Sequence, residues 1–135
     1  MELLLSYANR FYRRQFITRK AVNDDLLQQA EAVLDAYFND RQTLQQGIPS
    51  VQFLSEKLHI TPGYLSDMLR SLIGQNAQQY IHQKLIDKAK VKLSTTTLTV
   101  SEIAYDLGFE HPQSFSKLFK KKTETSPVAF RLSFK

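Results

Sequence analysis

The sequence predicts an all-α protein: two helix-turn-helix subdomains joined by a long connecting helix, about seven helices, preceded by an N-terminal amphipathic helix. Three observations carry this expectation. Apolar residues recur at three-and-four spacing along most of the chain, and neither a hairpin dipeptide nor sustained alternation favours strands. Three of the four prolines (Pro62, Pro112 and Pro127) stand where a helix or its turn would begin, a position at which the missing N–H costs nothing and the fixed φ helps. Finally, the apolar pattern of residues 51–72 returns in residues 100–119.

In the first twenty residues Leu4, Ala8 and Phe11 share a face, with Tyr12 and Phe16 nearby and arginines elsewhere on the wheel. That pattern describes an amphipathic helix, and Arg10, Arg13 and Arg14 are expected to form a solvated face. A polar link from Thr18 to Asp24 should follow. Asn23 or Asp24 is placed to cap a second helix, because a short polar side chain accepts from the free N–H groups of a first turn. Leu26, Leu27, Ala30, Val33, Leu34, Tyr37 and Phe38 then give a core-facing stripe, which ends in Asn39 to Pro49 with Gly47 and Pro49 as punctuation.

From Ser50 the pattern shortens. Val51, Leu54 and Leu58 mark a helix of about two turns, Ile60 closes over it, and Thr61-Pro62 reads as an N-cap with proline at the first helical position. Leu65, Met68, Leu69 and Leu72 carry the next helix to Gly74, a C-terminal glycine. Gln75 to Ser94 holds neither Gly nor Pro, and Ile81, Leu85, Ala89 and Leu93 recur every fourth residue. A helix from about Ala77 to Leu93 results, roughly 25 Å long at 1.5 Å per residue, with Lys84, Lys88 and Lys92 on another face. After the threonine-rich connector Ser94 to Thr99, Thr99 and Glu102 have capping-box spacing. Ile103, Ala104 and Leu107 run into Gly108-Phe109, and Phe115, Leu118 and Phe119 form a second series with lysines on its other side. Ser126-Pro127 opens a short closing helix with Val128, Phe130 and Leu132.

Four regions follow: residues 1–23 as helix and link, 24–76 as a first helix-turn-helix subdomain, 77–94 as the connecting helix and 95–135 as a second subdomain. Laid on each other, the two subdomains match Val51 with Val100, Leu54 with Ile103, Leu58 with Leu107 and Ile60 with Phe109. One extra residue in the second turn then brings Leu65 onto Phe115, Ser66 onto Ser116, Met68 onto Leu118 and Leu69 onto Phe119. Two copies with one burial pattern imply two similarly built heads.

Composition limits the partners. A chain of 135 residues, 42% of them hydrophobic, buries roughly two thirds of its unfolded surface and folds without staples. The lack of cysteine excludes disulfides and thiolate zinc sites, and a reducing cytoplasm is the expected compartment. No apolar run approaches a membrane span, and Met1 to Leu5 lacks the pattern of a signal peptide, so a soluble, unprocessed chain with no membrane partner is expected. Residues 1–48 carry six basic and six acidic side chains, whereas residues 49–135 carry twelve and seven. The whole excess of +5 lies in the part that holds the repeat, which favours a polyanionic partner.

The segment IAYDLGFEHPQSFSKLFKKKTETSPVAFR closely resembles the C-terminal signature of AraC/XylS-type bacterial transcription regulators, and residues from about Asp25 to Phe134 fit that family's seven-helix DNA-binding unit. The resemblance implies two recognition helices in adjacent major grooves of double-stranded DNA, and contacts with RNA polymerase at promoters. Two departures stand out. Glu124 replaces the usual glycine after the second recognition helix, which suggests a looser exit or one made by another residue, and Lys84 replaces a common arginine of the connecting helix.

The side chains expected to read DNA are the non-core residues early on each recognition helix. In the second head these are Gln113, Ser114, Ser116 and Lys117, with Lys120 and Lys121 near phosphates; the family positions that contact bases fall on Pro112, Gln113 and Lys117. Lysine donates to guanine O6 or N7, and glutamine bridges adenine N6 and N7. In the first head the matching positions are Gly63, Tyr64, Ser66 and Asp67, with Arg70 further along. A carboxylate such as Asp67 is repelled by phosphates unless it accepts from cytosine N4, so this head should position the protein more than read sequence. The N–H groups opening the helices after Ser50 and Thr99 suit a phosphate and an ordinary cap equally.

No catalytic constellation is present. His59, His82 and His111 lack metal-site spacing, and there is no nucleophile elbow, phosphate loop or dinucleotide fingerprint. Neither an enzyme nor a cofactor or metal site is expected. The competing class is a helical protein-interaction adaptor or anti-regulator that keeps the fold without specific DNA binding. Residues 1–20 are read either as the end of a sensor and dimerisation domain that precedes this unit, or as the start of a naturally short regulator.

Overall fold

Eight helices run through the residues that the computed structural model describes, the backbone of residues 2–134 and the side chains of residues 19–134; no strand occurs among them. They are α1 (Glu2–Asn39), α2 (Thr43–Gln46), α3 (Val51–Leu58), α4 (Pro62–Ile73), α5 (Ala77–Thr95), α6 (Val100–Asp106), α7 (Pro112–Thr123) and α8 (Pro127–Leu132). No helix among the described residues is long and apolar enough to cross a membrane.

Side-chain caps set most helix starts. Ser50, Thr61, Asn76, Thr99 and Ser126 each accept the N–H three residues on, and Asn76–Gln79 and Thr99–Glu102 close reciprocal capping boxes. Each cap stabilises its helix by about 1 kcal/mol. Pro62, Pro112 and Pro127 occupy first-turn positions as the sequence predicts. Recognition helices α4 and α7 each end on a left-handed residue, Gly74 at φ 72° and Glu124 at φ 64°. The second exit is therefore as tight as the first, and Glu124 itself makes it, in a conformation that costs a residue with a Cβ about 1–2 kcal/mol.

Two further expectations change. The polar link at residues 18–24 is helical, and α1 continues unbroken to Asn39. Asn and Asp inside a helix cost well under 1 kcal/mol each relative to alanine, too little to break a stretch without Gly or Pro, and Asn23 is used as a side-chain acceptor instead. The apolar face read in residues 1–18 lies outside the described side chains. Between Asn39 and Pro49, α2 forms one extra turn, held because Thr43 Oγ1 donates to the Asp106 carbonyl at 2.6 Å and Tyr37 Oη donates to the Gly47 carbonyl at 2.7 Å.

Two cores result, one per head. Ala30 and Leu34 of α1, Leu54 and Leu58 of α3, and Leu65, Met68 and Leu69 of α4 enclose Ala77, Tyr80 and Ile81 from the first half of α5. Leu85, Ile86, Ala89 and Leu93 from its second half pack with Ile103, Ala104, Leu107, Phe109, Phe115 and Phe119. The connecting helix is thus a wall of both heads, and Phe38 and Ile48 touch both cores.

Candidate nucleic-acid interface

The second head presents the more basic surface. Phe115 and Phe119 are fully buried beneath α7, with ring centroids 5.8 Å apart. At about 100° per residue, that burial turns Gln113, Lys117 and Lys120 to the opposite side, and all three are exposed, as are Ser114 and Lys121. Pro112 and Ser116 are half-buried at its edges. None of the four lysines of α7 has a carboxylate within ion-pair distance among the described residues. Lys121 and Lys122 bear on His82 of α5: its pKa lies below 6.5 because burial disfavours the cation and these two charges add to the effect.

In the first head Leu65 and Leu69 are fully buried and Met68 nearly so, which leaves Gly63, Asp67 and Arg70 exposed. Asp67 and Arg70 pair at 3.4 Å, a surface contact worth at most about 1 kcal/mol. Tyr64 remains 42% exposed, yet its hydroxyl donates to Asn23 Oδ1 at 2.7 Å. Ser66 is half-buried, and its Oγ accepts the Ala77 N–H at 3.3 Å, so this hydroxyl holds the start of α5. Where α7 carries Gln113, Lys117 and Lys120, α4 carries Gly63, Asp67 and Arg70, and only the second set has an excess of positive charge.

Three of the four lysines of the connecting helix are used internally. Lys84 faces Glu31 at 3.9 Å and Lys88 faces Asp35 at 3.3 Å, both on α1, while Lys92 pairs with Asp106 on α6. Asp106 also takes Arg41 at 3.0 Å. Burial alone would raise its carboxyl, but hydrogen bonds from Lys92 and Arg41, with their charges, outweigh that and hold its pKa below the ordinary 3.8. Two residues on, Gly108 sits at φ 102°, and a Cβ there would meet the Gly47 carbonyl carbon at 2.6 Å and the Ile48 nitrogen at 2.8 Å. The corner between α1 and α3 is thereby pinned to the turn of the second head. Sequence reasoning missed this contact; glycines at both Gly47 and Gly108 were its only trace.

The other two histidines sit at helix ends, His59 left-handed after α3 and His111 before α7. A helix-turn-helix domain family model matches residues 54–133, which span both heads. The regulatory protein SoxS of Escherichia coli is 30% identical over 82 residues, covering 61% of this chain and 77% of SoxS. The chain belongs to the AraC/XylS family of DNA-binding transcription regulators. Among solved AraC-type and related structures, the C-terminal domain of the two-component response regulator yesN from Fusobacterium nucleatum superposes with a TM-score of 0.61 at 36% identity, covering 76% of this chain and 98% of that domain. The DNA-binding domain of AdpA, solved with a target DNA, shares the fold at 21% identity and a TM-score of 0.64, covering 78% of this chain and 91% of that one.

Proposed function

We propose that this regulator inserts α4 and α7 into successive major grooves on one face of duplex DNA, and that α7 supplies most of the sequence discrimination. The observation that carries this reading is the contrast in charge: the cations of α7 have no carboxylate partner among the described residues, whereas Asp67 and Arg70 of α4 compensate each other. Gln113 and Lys117 are the base-reading side chains of α7, with Pro112, Ser114 and Ser116 shaping their approach and Lys120 and Lys121 on phosphates. Gly63, Tyr64, Ser66, Asp67 and Arg70 line the other groove and chiefly set register. Nineteen residues of α5 span about 28 Å, and with the flanking helices this suits the roughly 34 Å between successive grooves.

The known complex of AdpA's DNA-binding domain with a target DNA supports the same use of this fold. Contact with RNA polymerase, a cytoplasmic setting and dimerisation belong to the same proposal. The adaptor reading finds no favouring feature, because the basic face is the one an adaptor would not need. Selection of bound duplexes from a random pool at moderate salt tests the proposal. Two half-sites about one helical turn apart are expected, with the larger base penalties at the half-site lost in Gln113→Ala and Lys117→Ala; a flat response of affinity to salt would reject it.

A further inference from the structure

We propose that Arg19 and Lys20 of α1 form a phosphate-contacting extension of the first head, supplying the positive charge that its own recognition helix lacks. The inference rests on the proposed two-groove reading. Helix α4 carries one acidic and one basic residue, Asp67 and Arg70, which pair with each other. Its groove-entering end is tied to α1 by the bond from Tyr64 Oη to Asn23 Oδ1 at 2.7 Å. Asn23 therefore marks where α1 passes the first turn of α4.

The stripe by which α1 faces the first head runs from Leu34 through Ala30, Leu27 and Leu26 to Asn23. One turn further towards the N-terminus, about 6 Å along the axis, it reaches Arg19, about 40° from Asn23 on the wheel, and Lys20, about 60° to the other side. Both are exposed, and neither has a carboxylate within ion-pair distance among the described residues. An apolar stripe that turns polar and then basic as it leaves the core presents its charge beside the recognition helix rather than against it. Arginine and lysine stems easily reach several ångströms, and the backbone phosphates flanking the groove that α4 enters are the anions within range. Lys84, Lys88 and Lys92 of α5 cannot substitute, since each is already paired with Glu31, Asp35 or Asp106.

The test uses the full chain and a duplex selected by the unaltered protein. Arg19→Ala with Lys20→Ala should leave thermal unfolding unchanged and flatten the slope of log affinity against log salt by about two, one for each lost phosphate contact. Phosphate ethylation interference should disappear only at the outer edge of the first head's half-site, and Arg19→Lys with Lys20→Arg should restore both readouts. An unchanged slope in the double alanine variant, while the unaltered chain binds specifically and steeply with salt, would overturn this inference and leave the two-groove reading intact. Failure of the unaltered chain to select any duplex would overturn both.

Discussion

At Gly108 two constraints meet on one residue, since its φ of 102° lies outside the range of ordinary side chains and the backbone of Gly47 and Ile48 occupies the space a Cβ would need. Backbone atoms cannot rotate aside as a flexible side chain would. Gly108→Ala is expected to destabilise the protein by about 2–4 kcal/mol, combining left-handed strain with overpacking, as read by denaturant unfolding. Glu124 is the opposite case: it is left-handed at φ 64° and exposed, and it carries a Cβ in that conformation. Glu124→Gly should therefore raise stability by about 1 kcal/mol, and a fall would show that the glutamate side chain makes a compensating contact. The identity of residue 108 was readable as a turn glycine, but the second reason for it, contact with a residue sixty-one positions earlier in the sequence, was not.

Among the elements, α5 and α7 look alike in sequence, each a helix with a series of lysines, and the structure separates them. Lys84, Lys88 and Lys92 of α5 meet carboxylates of α1 and α6, whereas the lysines of α7 face solvent or His82. Lys120→Ala with Lys121→Ala should weaken DNA binding on all sequences to a similar degree and flatten the salt slope by about one for each residue; a loss confined to one base position would contradict a phosphate role. The packing of α5 on α7 also gives a pH dependence. Because the His82 pKa is lowered from 6.5 by burial and by Lys122 and Lys121, the unfolded chain binds more protons in the window just below 6.5. Stability should decline as pH falls through 6.5 towards the folded value and be level in this respect above it. Denaturant midpoints across that range check the sign, and His82→Gln should remove the decline.

For the whole molecule, the relative placement of the two heads depends on more than α5. A single shared helix would leave them free to twist, but Asp106 joins three segments, receiving Lys92 from α5 and Arg41 from the α1–α2 corner while its carbonyl takes Thr43. Asp106→Asn should cost about 2 kcal/mol through weakened charged hydrogen bonds. It should also relax the preference for one half-site spacing, measured by comparing duplexes with one base pair inserted or removed between the half-sites. Unchanged spacing discrimination at reduced stability would assign Asp106 to folding alone. Because its carboxyl titrates below 3.8 in the fold, its contribution is present above that pH and is lost as pH falls through 3.8 towards the folded value.

The sequence by itself determined the all-α class, the duplication, most helix boundaries and the face of each recognition helix, because these follow from local quantities: apolar period, capping side chains and proline position. It also located the excess charge in the part of the chain that holds the repeat. Tertiary structure decided which of two lysine series is available to a polyanion, that Asn23 lies inside a continuous helix and holds Tyr64, and that Gly47 rests on Gly108. Each of these depends on which carboxylate, hydroxyl or backbone atom a distant segment brings within a few ångströms, and no local pattern along the chain encodes that distance.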